Sequence, residues 1–211
     1  SMSSAQSSDY LAIVLTPQWV SVALWQSFAQ SGNQAGVRVL GSSQAVPLQK
    51  GNLTTQLDAA VDDALEQLGQ AGLSSKQGLF IVPRHWVSDD DLAPEYKKYL
   101  KSLSHSLMIE PMGFVVLSDT ISAHQEQEYG VGFSGLVFLP TPTHWHLTLF
   151  SNGAEVKTEQ IGVSGNPQLD IQELQARFSQ DALQRCILIP PPKSAEYHSV
   201  TDSFETDIEK A

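Results

Sequence analysis

Twice along this chain, three short strand-like runs give way to a helical period and then to an apolar run that stops at proline. No feature of the sequence restricts the fold more, because a repeated change of hydrophobic period from two to about 3.6 admits few architectures. The first pass opens with Tyr10–Thr16, an apolar run halted by Pro17, which reads as a strand buried on both faces. Trp19–Trp25 alternates as a second strand, and Val37–Ser42 follows a polar loop as a third. Leu53, Leu57, Val61, Ala64, Leu65 and Leu68 then recur at three- and four-residue steps, which predicts an amphipathic helix closed by Gly69 and Gly72. Gly78–Pro83 reads as a buried strand. Ser88, with Asp89, Asp90 and Asp91 behind it, is placed to cap a second helix that gets under way near Pro94 and runs to about Leu107. Gly113–Leu117 is a further strand, and Ser118–Tyr129 a helix ending at Gly130.

After Gly130 the order restarts. Gly135–Leu139, His144–Phe150 and Glu155–Val163 read as a second meander, with Ser151-Asn152-Gly153 as a hairpin turn. A helix over Leu169–Phe178 and a strand over Cys186–Ile189 precede Pro190-Pro191-Pro192. The halves share architecture and no obvious residue identity. The expected layout is a tail at residues 1–9, a first lobe at 10–130 and a smaller second lobe at 131–192. An acidic tail or the start of a truncated helix is expected at 193–211.

With 12 basic and 23 acidic residues, the formal net charge is −11. That field repels a phosphate backbone, and no Lys/Arg cluster offsets it, so nucleic acid is not an expected partner. No run approaches the roughly 20 apolar residues of a membrane span, so this segment is not expected to insert in a bilayer. The single cysteine, Cys186, rules out an internal disulfide and fits a reducing compartment. Within Arg-Cys-Ile-Leu-Ile-Pro it reads as a small buried hydrophobe.

The doubled order, a meander followed by a helix and a strand, resembles the duplicated ribonuclease H-like lobes of the actin, sugar-kinase and DnaK-type chaperone superfamily. The stretches that carry the likeness are Leu11–Leu24, Met112–His124 and Gly135–Phe150, and within the superfamily they look most like the cell-division and type IV pilus-assembly branch (FtsA and PilM). The implied fold is α/β, with two mixed-sheet lobes of which the second is incomplete. Active members present a carboxylate and small turn residues at two phosphate hairpins. Here Val14 takes the first carboxylate position, and the turn reads Thr16-Pro17-Gln18-Trp19. The second hairpin reads Leu139-Pro140-Thr141-Pro142-Thr143-His144-Trp145, without carboxylate or glycine. Proline removes a backbone donor from each turn. No P-loop or dinucleotide fingerprint appears elsewhere.

The resemblance and these departures imply a degenerate, non-catalytic domain without cofactor or metal. It would be a cytoplasmic adaptor that binds protein beside inner-membrane components. The alternative is an ATP-binding member with an unconventional site drawn from Asp62, Asp119 and Thr143; a free-standing scaffold is a third reading. Other constellations are weaker. His144-Trp145-His146 puts two imidazoles on one strand face but shows no third ligand at usable spacing. Asp89-Asp90-Asp91 lacks the rest of a calcium loop. Ser118, Asp119 and His124 are triad residue types outside any nucleophile elbow. Trp19, Trp25, Trp86 and Trp145 are accounted for by core or hairpin packing, while the sharper reading makes Trp19 and Trp86 cleft-lining residues or partner anchors.

Overall fold

A computed structural model of the chain describes residues 8–29, 35–48, 53–69 and 77–190. Gly72 and the expected tails at residues 1–7 and 193–211 lie outside them. Ser8 and Asp9, expected in a tail, instead begin the first strand. The chain divides into two compact units, 1–115 and 116–211.

The first unit opens with β1 (Ser8–Leu15), β2 (Trp19–Ala29), β3 (Ala35–Ser42) and the two-residue β4 (Val46–Pro47). Helix α1 (Leu53–Gln67) and strand β5 (Gln77–Val82) follow. A single 3₁₀ turn (Arg84–Trp86) leads to β6 (Val87–Ser88) and β7 (Asp91–Leu92), then α2 (Pro94–Ser106) and β8 (Glu110–Val116). The main sheet runs β3-β2-β1-β5-β8, with β4 pairing β2. β1 is antiparallel to β2 and parallel to β5, and β2 is antiparallel to β3. Leu11, Ile13 and Leu15 of β1 join Val20, Val22 and Leu24 of β2 in a core closed by Leu57, Val61, Leu100 and Leu103 of the two helices. Burying each such side chain contributes about 1.5–3 kcal/mol. β1 is therefore not the strand buried on both faces that its unbroken apolar run predicts. Ala12 and Val14 are only half-buried, because the helical cover lies on the other face.

The α1 face matches its periodicity, with Leu57, Ala60, Val61, Ala64 and Leu65 buried and Asp62, Asp63 and Glu66 exposed. Gly69 ends it in the left-handed region at φ +66°, a common helix stop. Ser88 does not cap α2, whose N-cap is Ala93 with Pro94 as the first helical residue. Asp89 and Asp90 instead have φ of 52° and 64° and form the two-residue connection of the β6–β7 hairpin. Paired positive φ values suit the twist of such a turn, and Asp tolerates them better than most residues. Asp91 accepts hydrogen bonds from Lys97 Nζ at 2.7 Å and from Leu92 N at 2.8 Å, and these, the lysine's first, hold its carboxyl below the usual range.

The second unit comprises α3 (Leu117–Tyr129), β9 (Gly135–Pro140), β10 (His144–Ser151), β11 (Ala154–Gly162), α4 (Pro167–Arg177), α5 (Gln180–Gln184) and β12 (Cys186–Leu188). Its sheet runs β11-β10-β9-β12, with β9 antiparallel to β10, β10 antiparallel to β11, and β9 parallel to β12. This repeats the β3-β2-β1-β5 arrangement. The shared order, a meander joined to a parallel strand, is ribonuclease H-like, so the fold is a duplicated α/β architecture. Among the described residues the second unit has no counterpart of β8 and is the less complete.

Gly130 was expected to mark the boundary between lobes. It is the left-handed cap of α3, at φ +75°, inside the second unit. The 151–153 turn is as predicted, with Asn152 and Gly153 at φ of 49° and 83°. β9, not β1, is buried along its whole length. The short α5 gave no helical period, since Leu183 is its one fully buried residue; Ser179 Oγ caps it by accepting from Ala182 N.

Candidate functional site: two threonine-closed turns

Each unit places a Thr-Pro turn between the first two strands of its meander. In the β1–β2 turn, Thr16 N and Thr16 Oγ1 both donate to Trp19 O, at 3.0 and 2.9 Å. The same hydroxyl accepts from Gln18 N at 3.2 Å and Trp19 N at 2.9 Å. Thr16 is fully buried. In the β9–β10 turn, Thr141 N and Oγ1 donate to His144 O at 2.8 and 2.7 Å, and Thr141 Oγ1 accepts from His144 N at 2.9 Å. Pro17 and Pro142 stand at the second turn position, where the fixed proline φ is already correct. Threonine at the first position hydrogen-bonds the backbone it faces, the local competition for which Ser and Thr are known. The residue identity between the halves that seemed missing is this Thr-Pro pair, legible in the sequence once the two hairpins are aligned.

A phosphate cradle needs several backbone N–H groups aimed outward. The first turn has none to offer: Thr16, Gln18 and Trp19 direct theirs inside the turn, and Pro17 has none. In the second turn these bonds use all but that of Thr143. The two positions at which the resemblance led us to look for a carboxylate, Val14 and Leu139, are apolar. Val14 is half-buried between Ser21 and Ile81, and Leu139 lies opposite His146 with 5% of its surface exposed. Pro140 ends β9 opposite Trp145. The peptide of Leu48 crosses the first turn, donating to Gln18 O at 2.7 Å, so β4 straps that hairpin.

The remaining candidates separate. Trp19 is half-buried and pairs with Pro47. Trp86 is 1% exposed and belongs to the first unit's core, stacked on Tyr96 at 4.5 Å, so it presents no surface to a partner. Ser118 is buried while Asp119 and His124 are exposed, and His124 lies 3.8 Å from Glu128. Asp62 is exposed on α1. His144 and His146 share a face of β10 with centroids 6.2 Å apart, and burial, with His144 adding to it, lowers His146 to about 4. Cys186 is pushed up to about 12 by burial, which removes thiolate reactivity. Among the described residues no group of three or more His, Cys, Asp or Glu is arranged to hold a metal ion, and no helix is long and apolar enough to cross a membrane.

The turns yield a direct stability test. Thr16→Val keeps the side-chain shape and takes the acceptor from the buried N–H of Gln18 and the part-buried N–H of Trp19, so it is expected to cost about 2 kcal/mol in urea unfolding. Thr141→Val, at a partly exposed turn, is expected to cost about 1 kcal/mol. Equal midpoints for Thr16→Val and the native chain would show that the hydroxyl does not hold the turn.

The class defined by sheet order and turns is a duplicated ribonuclease H-like α/β protein whose first hairpins are each sealed by their own threonine. No family model matches the chain, and no curated protein matches it. Solved structures that align with it include a Bacteroides thetaiotaomicron protein with actin-like ATPase fold and unknown function, at 10% identity and TM-score 0.48, covering 95% of this chain and 88% of that one. Ethanolamine utilization protein EutJ from Carboxydothermus hydrogenoformans aligns at 12% identity and TM-score 0.42, covering 96% and 68%. The Aquifex aeolicus PPX-GPPA enzyme aligns at 7% identity and TM-score 0.40; 85% of this chain spans 64% of that enzyme, less than two thirds of its length. The sheet orders of the two units, not these likenesses, define the fold.

Proposed function

We propose that this chain is a non-catalytic actin-like module of the FtsA and PilM type that works by binding a protein partner, as a cytoplasmic adaptor beside an inner-membrane assembly. The observation that carries this reading is the closure of both hairpin turns. Where nucleotide phosphates and their magnesium would be held, the backbone donors go to Thr16 and Thr141, and Val14 and Leu139 stand in the carboxylate positions. Transition-state stabilisation in phosphoryl transfer relies on a metal and oriented donors; these turns carry no carboxylate to hold a metal, and their own hydrogen bonds use every backbone donor but that of Thr143. Trp19, half-buried beside the first turn, is the aromatic residue we assign to the partner contact, since interface anchors are enriched in tryptophan.

The reading is tested with ATP and magnesium by calorimetry and by phosphate release. The expected result is no saturable heat and no turnover above background. Tight magnesium-dependent binding, or turnover that survives repurification and disappears in Asp119→Ala, would overturn the reading in favour of an ATP-binding protein with an unconventional site.

A further inference from the structure

The second sheet carries a feature the adaptor reading does not use. His144 and His146 flank Trp145 on β10, so the two imidazoles leave the strand on one face while Trp145, 3% exposed, enters the core on the other. Their rings lie 6.2 Å apart, with planes inclined at 33°. The register of the neighbouring strand places Gly162 opposite His144 and Gln160 opposite His146. A β-carbon built on Gly162 would meet nothing within 4 Å, so the strand position beside His144 leaves open space. Gln160 is exposed and brings a carbonyl oxygen to the same face. On the other flank Leu139, opposite His146, forms an apolar wall. Thr143 Oγ1 lies 3.1 Å from His144 Nδ1. With Nδ1–H donating to that hydroxyl, Nε2 keeps its lone pair, and the ring is oriented as outer partners orient metal-binding histidines.

We propose that His144 and His146 bind one late first-row divalent cation on this face of β10, with Gln160 Oε1 and water completing its coordination. Two imidazoles select copper(II), nickel and zinc over magnesium and calcium, which favour all-oxygen shells. Zinc sites usually have three or four protein ligands, and among the described residues no third His, Cys, Asp or Glu joins this pair. The site is therefore open and exchangeable rather than structural. It is independent of the adaptor reading and of any nucleotide.

The test uses the full chain and the metal salts alone, in a buffer that does not chelate. Calorimetry and tryptophan fluorescence are read together, because Trp145 lies between the two ligands. Copper(II) is expected to saturate at one equivalent, with nickel and zinc binding more weakly and magnesium giving no heat. His144→Ala and His146→Ala are each expected to weaken binding about tenfold or more, and Gln160→His to tighten it by a similar factor by adding a third imidazole. The other four of the chain's six histidines remain in every variant and set the background. If His146→Ala fails to fold, His144→Ala and Gln160→His still decide the matter, since Gln160 is exposed and His144 stands at the turn end of β10. A His144→Ala protein that binds copper(II) as tightly as the native chain would overturn the proposal, as would a Gln160→His protein with no gain.

Discussion

Gly135→Ala is expected to lower the stability of the second unit by about 3 kcal/mol, the upper range for forcing extra volume into a packed position. Gly135 is the first residue of β9, and a β-carbon there would collide with the backbone oxygen of Arg185. Arg185 Cβ and Phe133 Cζ would lie at 3.0 Å as well. Nothing here can move cheaply. Arg185 O accepts the hydrogen bond of Leu136 N at 3.0 Å, and the next residue, Cys186, begins the parallel pairing of β12 with β9. Relieving the clash therefore means loosening the strand pair that closes this sheet. Gly162→Ala is the matched control, because its β-carbon would meet nothing within 4 Å, and its effect should stay within about 0.5 kcal/mol. Urea unfolding followed by Trp145 fluorescence compares the two. A native midpoint for Gly135→Ala would mean that the approach of β9 to Arg185 is not maintained in solution.

The contrast between these glycines shows what a sequence makes legible. Periodicity is local, so the α1 stripe from Leu57 to Leu65 and the alternation of β2 could be read directly, as could the Asn152-Gly153 turn. The doubled order of strands and helices followed from the same signals. Distant choices left weaker traces. The run at Tyr10–Thr16 could not say that α1 and α2 would cover the same face of β1, leaving Ala12 and Val14 half-buried. Three aspartates in a row fit a helix start as well as a hairpin, and the left-handed backbone of Asp89 and Asp90 decided for the hairpin. Gly130 ends a helix as its place in the sequence predicts, but the division between units falls before that helix, after Val115. At the candidate site the apolar side chains of Val14 and Leu139 were plain from the residues alone. The hydrogen bonds by which Thr16 and Thr141 seal their turns were not, although the repeated Thr-Pro was in view. The partners of His144 and His146 on β11 depended on a register that only pairing reveals.

Trp86→Ala is expected to cost about 3–5 kcal/mol, the cost of emptying a tryptophan-sized site in a close-packed core. Set against a typical stability of about 5–15 kcal/mol, that loss leaves the first unit marginal or unfolded. Trp86 is 1% exposed and among the largest fully buried side chains of the chain. Its ring stacks nearly parallel on that of Tyr96, with planes 5° apart and centroids at 4.5 Å. Burial, followed by the charge of Glu95, raises the Tyr96 phenol above its usual range, as an apolar surround requires. The backbone of Trp86 is tied in at both ends, with its N–H donating to Pro83 O at 3.1 Å and its carbonyl accepting from Ala93 N at 2.8 Å. The indole thus links the end of β5 to the start of α2, and its removal leaves a cavity that these anchored neighbours cannot close. Trp86→Phe should recover more than half of the loss by keeping an aromatic ring against Tyr96. Urea unfolding of both variants decides between a core residue and a partner anchor. A surface anchor changed to alanine leaves stability within about 0.5 kcal/mol of native, and that result for Trp86→Ala would remove the residue from the core and return it to the candidates for a binding surface.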